Sequence, residues 1–151
     1  MSIRPITAAQ ARPVRQAVLR PGLPPKTTLY AGDDAPDSFH AGAFVDERLV
    51  GIATLHHKPP PGEADAHAWQ LRGMAVLPEQ QGRGLGRGLV LACRVWTMAR
   101  GGTRLWCNGR VSALGFYQSL GFQPRGEIFD SPHSGPHYQL VLALQLNPGA
   151  A

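Results

Sequence analysis

Apolar and polar positions change period several times along the chain, and each change marks an element. SIRPI (2–6) reads as a short strand. AAQARPVRQAVLR (8–20) has helical spacing, with Ala11, Val14, Val18 and Leu19 inward, and Pro13 splits or kinks it. PGLPPKTTLYAGDDAPDS (21–38) shows no period and predicts a long loop of the kind that often acts as a lid. FHAGAFV (39–45) and LVGIATLHH (49–57) flank Asp46-Glu47-Arg48 and predict a hairpin. After a turn-rich loop (58–66), HAWQLRGMAVL (67–77) predicts a strand. A helix running to about Ala99 is stopped by Gly101 and Gly102. TRLWCNG (103–109) predicts a strand, and VSALGFYQSL (111–120) a helix closed by Gly121. FQPRGEIFD (122–130) and HYQLVLALQL (137–146) predict a closing pair of strands. The order is strand, helix, three strands, helix, strand, helix, two strands. It predicts an α/β fold with a mixed sheet, in a single domain spanning 1–151.

Two local features stand out. In WQLRGMAVL, Trp69 and Leu71 alternate as in a strand, but the larger apolar residues then fall at Met74 and Val76. A β-bulge causes such a slip and leaves backbone groups free; a strand buried on both faces also fits. The second feature is PEQQGRGLGRGLVLACRVW (78–96), with four glycines and two arginines between Gly82 and Gly88. Behind it Leu85, Leu89, Ala92, Cys93 and Trp96 form a helical stripe. Unpaired N–H groups at a helix start, glycines that allow close approach, and Arg83 and Arg87 together suit a phosphate or pyrophosphate. A P-loop requires a lysine that is missing here. A dinucleotide GxGxxG requires glycine where Arg87 or Leu89 stands.

Composition narrows the class. Net charge is +5, and no carboxylate lies between Glu79 and Glu127. That window holds Arg83, Arg87, Arg94, Arg100, Arg104 and Arg110, which an Arg-rich composition or a polyanion site both explain. Aromatics are not interleaved with them, which argues against nucleic acid. The start has no signal-like apolar region and no run reaches 18 apolar residues, so neither secretion nor membrane is expected. Cys93 and Cys107 form no framework, which fits buried thiols in a reducing cytoplasm. His56, His57 and His67 lack tight metal spacing, and no metal is expected.

Gln81-Gly82-Arg83-Gly84-Leu85-Gly86, read as Q-x-x-G-x-G, resembles the acetyl-CoA-binding motif of the GNAT superfamily of N-acetyltransferases. Leu71 to Pro78 is similar to that family's bulged fourth strand. Ala113, Phe116, Tyr117, Leu120, Gly121 and Phe122 match its A-x-x-F-Y-x-x-L-G-F helix. Gly135-Pro136-His137-Tyr138 resembles an ending found in some members, and the element order agrees. The resemblance covers nearly the whole chain. It implies a GNAT-like acyl-CoA N-acyltransferase fold and favours the bulge.

The resemblance also implies a reaction: an amine attacks the thioester of acetyl-CoA directly, in a ternary complex. Backbone groups of Met74, Ala75 and Val76 would align the pantetheine arm, and one amide would polarise the acetyl carbonyl. Gln81, Gly82, Arg83, Gly84, Leu85, Gly86 and Arg87 would hold the pyrophosphate. Asn108 would contact the pantetheine or the acceptor, or serve only as a turn residue before Gly109. Tyr117 would protonate the departing thiolate, or serve only as a core aromatic. The acceptor is a small-molecule or peptide amine, with specificity expected in 21–38, 58–66 and 127–138. Asp33, Asp34 and Asp37 would attract a cationic amine or be solvated. Candidate bases are Glu63, Asp65, His67, His40, Glu127 and His137. A homodimer is common among similar proteins. A non-catalytic acyl-CoA-binding sensor is the alternative, and it has no need of Tyr117 and Asn108.

Overall fold

The computed structural model describes residues 1–132 and 134–144. Contacts gather into two units, Met1–His56 with Leu71–Trp96, and His57–Gln70 with Thr97 onward.

In the first unit β1 (Ser2–Pro5) leads into α1 (Ala8–Val14). Thr7 starts α1 with a reciprocal capping box: its hydroxyl accepts from the Gln10 N–H and its own N–H donates to the Gln10 side chain. The predicted interruption falls just after Pro13. From Arg15 to Leu19 the coil widens to a π-helical turn, closed by the Arg20 N–H on the Arg15 carbonyl. Ala11 and Val14 pack with Ile52 and Ala75, flanked by Val18 and Leu19.

β2 (Phe39–Val45) and β3 (Arg48–His56) form the expected hairpin with a shorter turn. Asp46 and Glu47 both have positive φ, as a two-residue type I′ turn requires, and Arg48 already pairs with Val45. β4 (Ala68–Val76) buries Leu71 and Ala75. Its Gly73 takes φ +60, interrupting the extended backbone where the alternation slips. α2 (Leu85–Ala99) buries Leu85, Leu89 and Cys93, as its spacing predicts. Trp96 stacks on Phe39 at 4.2 Å.

In the second unit the start of β4 runs parallel to β5 (Arg104–Arg110), with Ala68–Gln70 against Arg104–Trp106. β5 pairs antiparallel with β7 (Gly135–Ala143), and β7 with the exposed β6 (Gln123–Ser131). The sequence placed the last strand at 137–146; it starts two residues earlier, and residues 145 and 146 lie outside the described residues. The predicted helix 111–120 is a 3-10 turn, Val111–Ala113, followed by α3 (Leu114–Ser119). Gly121 follows it at φ +98, the left-handed form that closes a helix. The strand order is β1-β2-β3-β4-β5-β7-β6, a mixed sheet as expected.

Candidate active site

The glycine loop presents a row of free donors. Gly82 and Gly84 both take φ +80, and a Cβ at either would meet open space. No backbone N–H from Gly82 to Arg87 has an acceptor among the described residues; the first such bond is Gly88 to Gly84, at 3.0 Å. Successive unpaired amides at a helix start form an anion-binding concavity. The loop is exposed, whereas the Leu85 side chain is buried, so Leu85 offers only its N–H. The Gln81 amide donates to the Val76 carbonyl at 3.0 Å and ties the loop to the end of β4. Arg83 bonds Gln80 at 3.1 Å, and Arg87 is exposed. Met74, Ala75 and Val76 follow the left-handed Gly73, and of their side chains only Ala75 is buried.

Beside that strand is a buried polar network that the sequence reading missed. Arg15 is fully buried. Its Nη1 donates to Asp33 Oδ2 at 2.6 Å and to the Thr28 carbonyl at 2.9 Å. Its Nη2 donates to Asp33 Oδ1 at 3.1 Å and to the Thr54 hydroxyl at 2.8 Å. His56 Nε2 lies 3.1 Å from Asp33 Oδ1, and His40 bridges Thr54 and the Asp33 carbonyl. Burial alone would raise the Asp33 carboxyl, but the bonds from Arg15 and His56 hold it below its ordinary value of 3.8. Burial pushes His56 below its usual 6.5, partly offset by Asp33, so the imidazole is neutral at pH 7. An ionised Asp33 only accepts, which puts the His56 proton on Nε2 and leaves Nδ1 unprotonated. Asp33 is therefore neither solvated nor free to attract a cationic amine. The available signal was Arg15 itself, a charge four residues after Ala11 on the face given to the core.

Tyr117 and Asn108 belong to the second unit. Asn108 is no turn residue: it is exposed within β5, paired with Gln139. Gly109 beside it has a packing role. A Cβ there would lie 2.7 Å from Leu140 Cδ1 and 3.0 Å from Tyr117 Cε2, so the tyrosine ring rests where a side chain would be. Phe116 and Phe122 meet that ring edge-on at 5.1 and 5.5 Å. Burial, and secondarily Cys107, push the Tyr117 phenol far above its ordinary 10, with Arg110 opposing. It is therefore protonated at neutral pH and is a weaker acid than a free phenol. Burial likewise raises both thiols, Cys93 to about 12, so neither is a reactive thiolate.

Most candidate bases are engaged. Glu63 accepts from Arg104 at 2.8 Å and from Arg125, which hold its carboxyl low. Asp65 pairs with Arg104 at 3.2 Å. His137 Nδ1 lies 2.8 Å from the Gly135 carbonyl. His67 and Glu127 are exposed. Among the described residues no group of three His, Cys, Asp or Glu could hold a metal, and no helix is long and apolar enough to cross a membrane.

Comparison with known proteins agrees with this architecture. Residues 9–122 match the "Acetyltransferase (GNAT) family". The chain is 31% identical over 145 residues to "Uncharacterized N-acetyltransferase YitI" of Bacillus subtilis (strain 168), covering 96% of this chain and 97% of that protein. An aminoglycoside 6'-N-acetyltransferase crystallised with coenzyme A superposes with TM-score 0.77 at 13% identity, over 98% of this chain and 99% of that one. The ribosomal-protein-S18-alanine N-acetyltransferase of Escherichia coli gives TM-score 0.74 at 19% identity, over 99% and 97%. The chain belongs to the GNAT family and is an acetyltransferase.

Proposed function

We propose that the chain works as one catalytic domain that transfers the acetyl group of acetyl-CoA to a primary amine, and that the amides from Gly82 to Arg87 hold the cofactor's pyrophosphate. The observation carrying this is the unbroken row of unpaired N–H groups, opened by two left-handed glycines. Arg83 and Arg87 add charge to it. The backbone of Met74, Ala75 and Val76 aligns the pantetheine arm, and one of its amides polarises the acetyl carbonyl. Asn108 contacts the arm or the acceptor. Acetyl-CoA supplies an activated acyl group and a thiol leaving group. Tyr117 gives its proton to the departing sulfur, the attacking nitrogen loses one to water, and solvent restores the phenol, so the products are an amide and a free thiol. Two free, buried cysteines suit a reducing cytoplasm.

Tyr117→Phe tests the assignment, because it removes one oxygen and keeps the ring in its pocket. We expect kcat to fall about 10- to 100-fold, within the usual range for a lost general acid, with acetyl-CoA affinity unchanged. Normal turnover in the variant removes Tyr117 from the chemistry. Relatives named for an aminoglycoside and for a ribosomal-protein alanine show that this fold serves different amines.

A further inference from the structure

Arg72 stands just before the left-handed Gly73 and two residues from Met74 on β4. It is half-buried, and its guanidinium lies 4.0 Å from the centroid of the Tyr30 ring, in the loop where specificity is expected. Arg15 lies 3.9 Å from the same ring. The two cations differ in one respect. Arg15 donates four bonds from Nη1 and Nη2 to Asp33, Thr28 and Thr54, and only its buried Nε is left without a partner among the described residues. Arg72 has no hydrogen bond and no ion pair among the described residues. Asp33, the buried carboxylate of this region, is already committed to Arg15 and His56. The Arg72 guanidinium is partly desolvated, and none of its nitrogens is among the buried, unpartnered atoms, so the fork stays open to a ligand, of which a planar two-oxygen group is the best match.

We infer that Arg72 is a recognition site for a carboxylate carried by the acceptor, which is therefore a small amino acid and not a polycation. The inference rests on the acetyltransferase reading above. The Tyr30 ring covers the guanidinium from one side, leaving its N–H fork for the ligand. Arg72 and Met74 lie two residues apart, at most about 7 Å along the chain, a distance that the amine and carboxylate of one small molecule bridge together with the arginine side chain.

The test measures thiol release from acetyl-CoA with separate pools: amino acids, the matching amino-acid amides, phosphoethanolamine, and the polyamines spermidine and kanamycin. Wild type is expected to favour the amino acids over their amides by about tenfold or more, the scale of one charged bidentate contact. Arg72→Met is expected to bring that ratio close to one, with acetyl-CoA affinity by calorimetry unchanged. If the methionine variant does not fold, Arg72→Lys keeps the charge, loses the fork and is expected to lower the ratio. Equal or greater rates with amides or polyamines overturn the inference, as does a ratio unaffected by substitution. Preference for phosphoethanolamine overturns it in favour of a phosphate. Acetyl-CoA binding without release from any pool also counts against it. Failure of wild type to bind acetyl-CoA contradicts the glycine-loop reading instead, so the two failures are distinct.

Discussion

Gly109→Ala places the Tyr117 assignment under direct mechanical test. The added Cβ would stand 2.7 Å from Leu140 Cδ1 and 3.0 and 3.1 Å from two Tyr117 ring carbons. Carbon atoms prefer roughly 3.5 to 4.0 Å, so the methyl must move by about 1 Å and the ring by about half that. Leu140 is fully buried, and Tyr117 is wedged between Phe116 and Phe122, so neither yields freely. Overpacking of this kind costs about 1–3 kcal/mol. For a chain of this size that lowers Tm by roughly 2 to 12 °C. Since the hydroxyl is carried at the far end of the displaced ring, its misplacement approaches the scale at which turnover falls about 100-fold. Steady-state kinetics on the folded variant, with calorimetry for acetyl-CoA, would separate the effects. The expected result is a loss in kcat approaching that of Tyr117→Phe, with cofactor affinity retained. In Tyr117→Phe/Gly109→Ala the glycine substitution should cost stability but little further kcat. A stable Gly109→Ala enzyme with full kcat would refute the reasoning.

Other consequences can be measured. Arg15→Leu leaves Asp33 buried without its main partner and should destabilise by about 3–5 kcal/mol in chemical denaturation; Arg15→Leu/Asp33→Leu should recover much of that loss. His56 has a folded pKa below its unfolded 6.5, so the unfolded chain binds more protons below that value, and stability should fall as pH drops below about 6.5. Asp33 is also depressed, so its contribution is lost in turn as pH falls below 3.8. His56→Asn should flatten the first fall in a series of melting curves and leave the second.

The two halves of the candidate site differed in how legible they were. The glycine loop was legible because its signal is local: left-handed glycines, a helix stripe and the missing lysine all lie within twenty residues. The slip in β4 was legible as alternation, and Gly73 supplies its backbone cause. The polar network was not. Arg15 and Asp33 are separated by 18 positions and His56 by 23 more, and no periodic pattern links a helix charge to a loop carboxylate. The same loop, read as a lid with free acids, proves to be anchored by the acid it was expected to display. The packing role of Gly109 is not visible in sequence, where it fits equally the turn offered as the alternative for Asn108, because a glycine needed for a neighbour's ring looks like one needed for a bend. Glu63 and Asp65 were plausible bases only until Arg104 was seen beside them.

The central claim is that the Gly82–Arg87 amides bind the pyrophosphate. It is tested most directly by calorimetric titration of acetyl-CoA into wild type and folded Gly84→Glu. Gly84 is exposed at φ +80, so a glutamate adds backbone strain of about 1–2 kcal/mol and brings a carboxylate to the anion cradle. Saturable binding to wild type and none to the variant is the predicted result. Equal affinity in both proteins would contradict it.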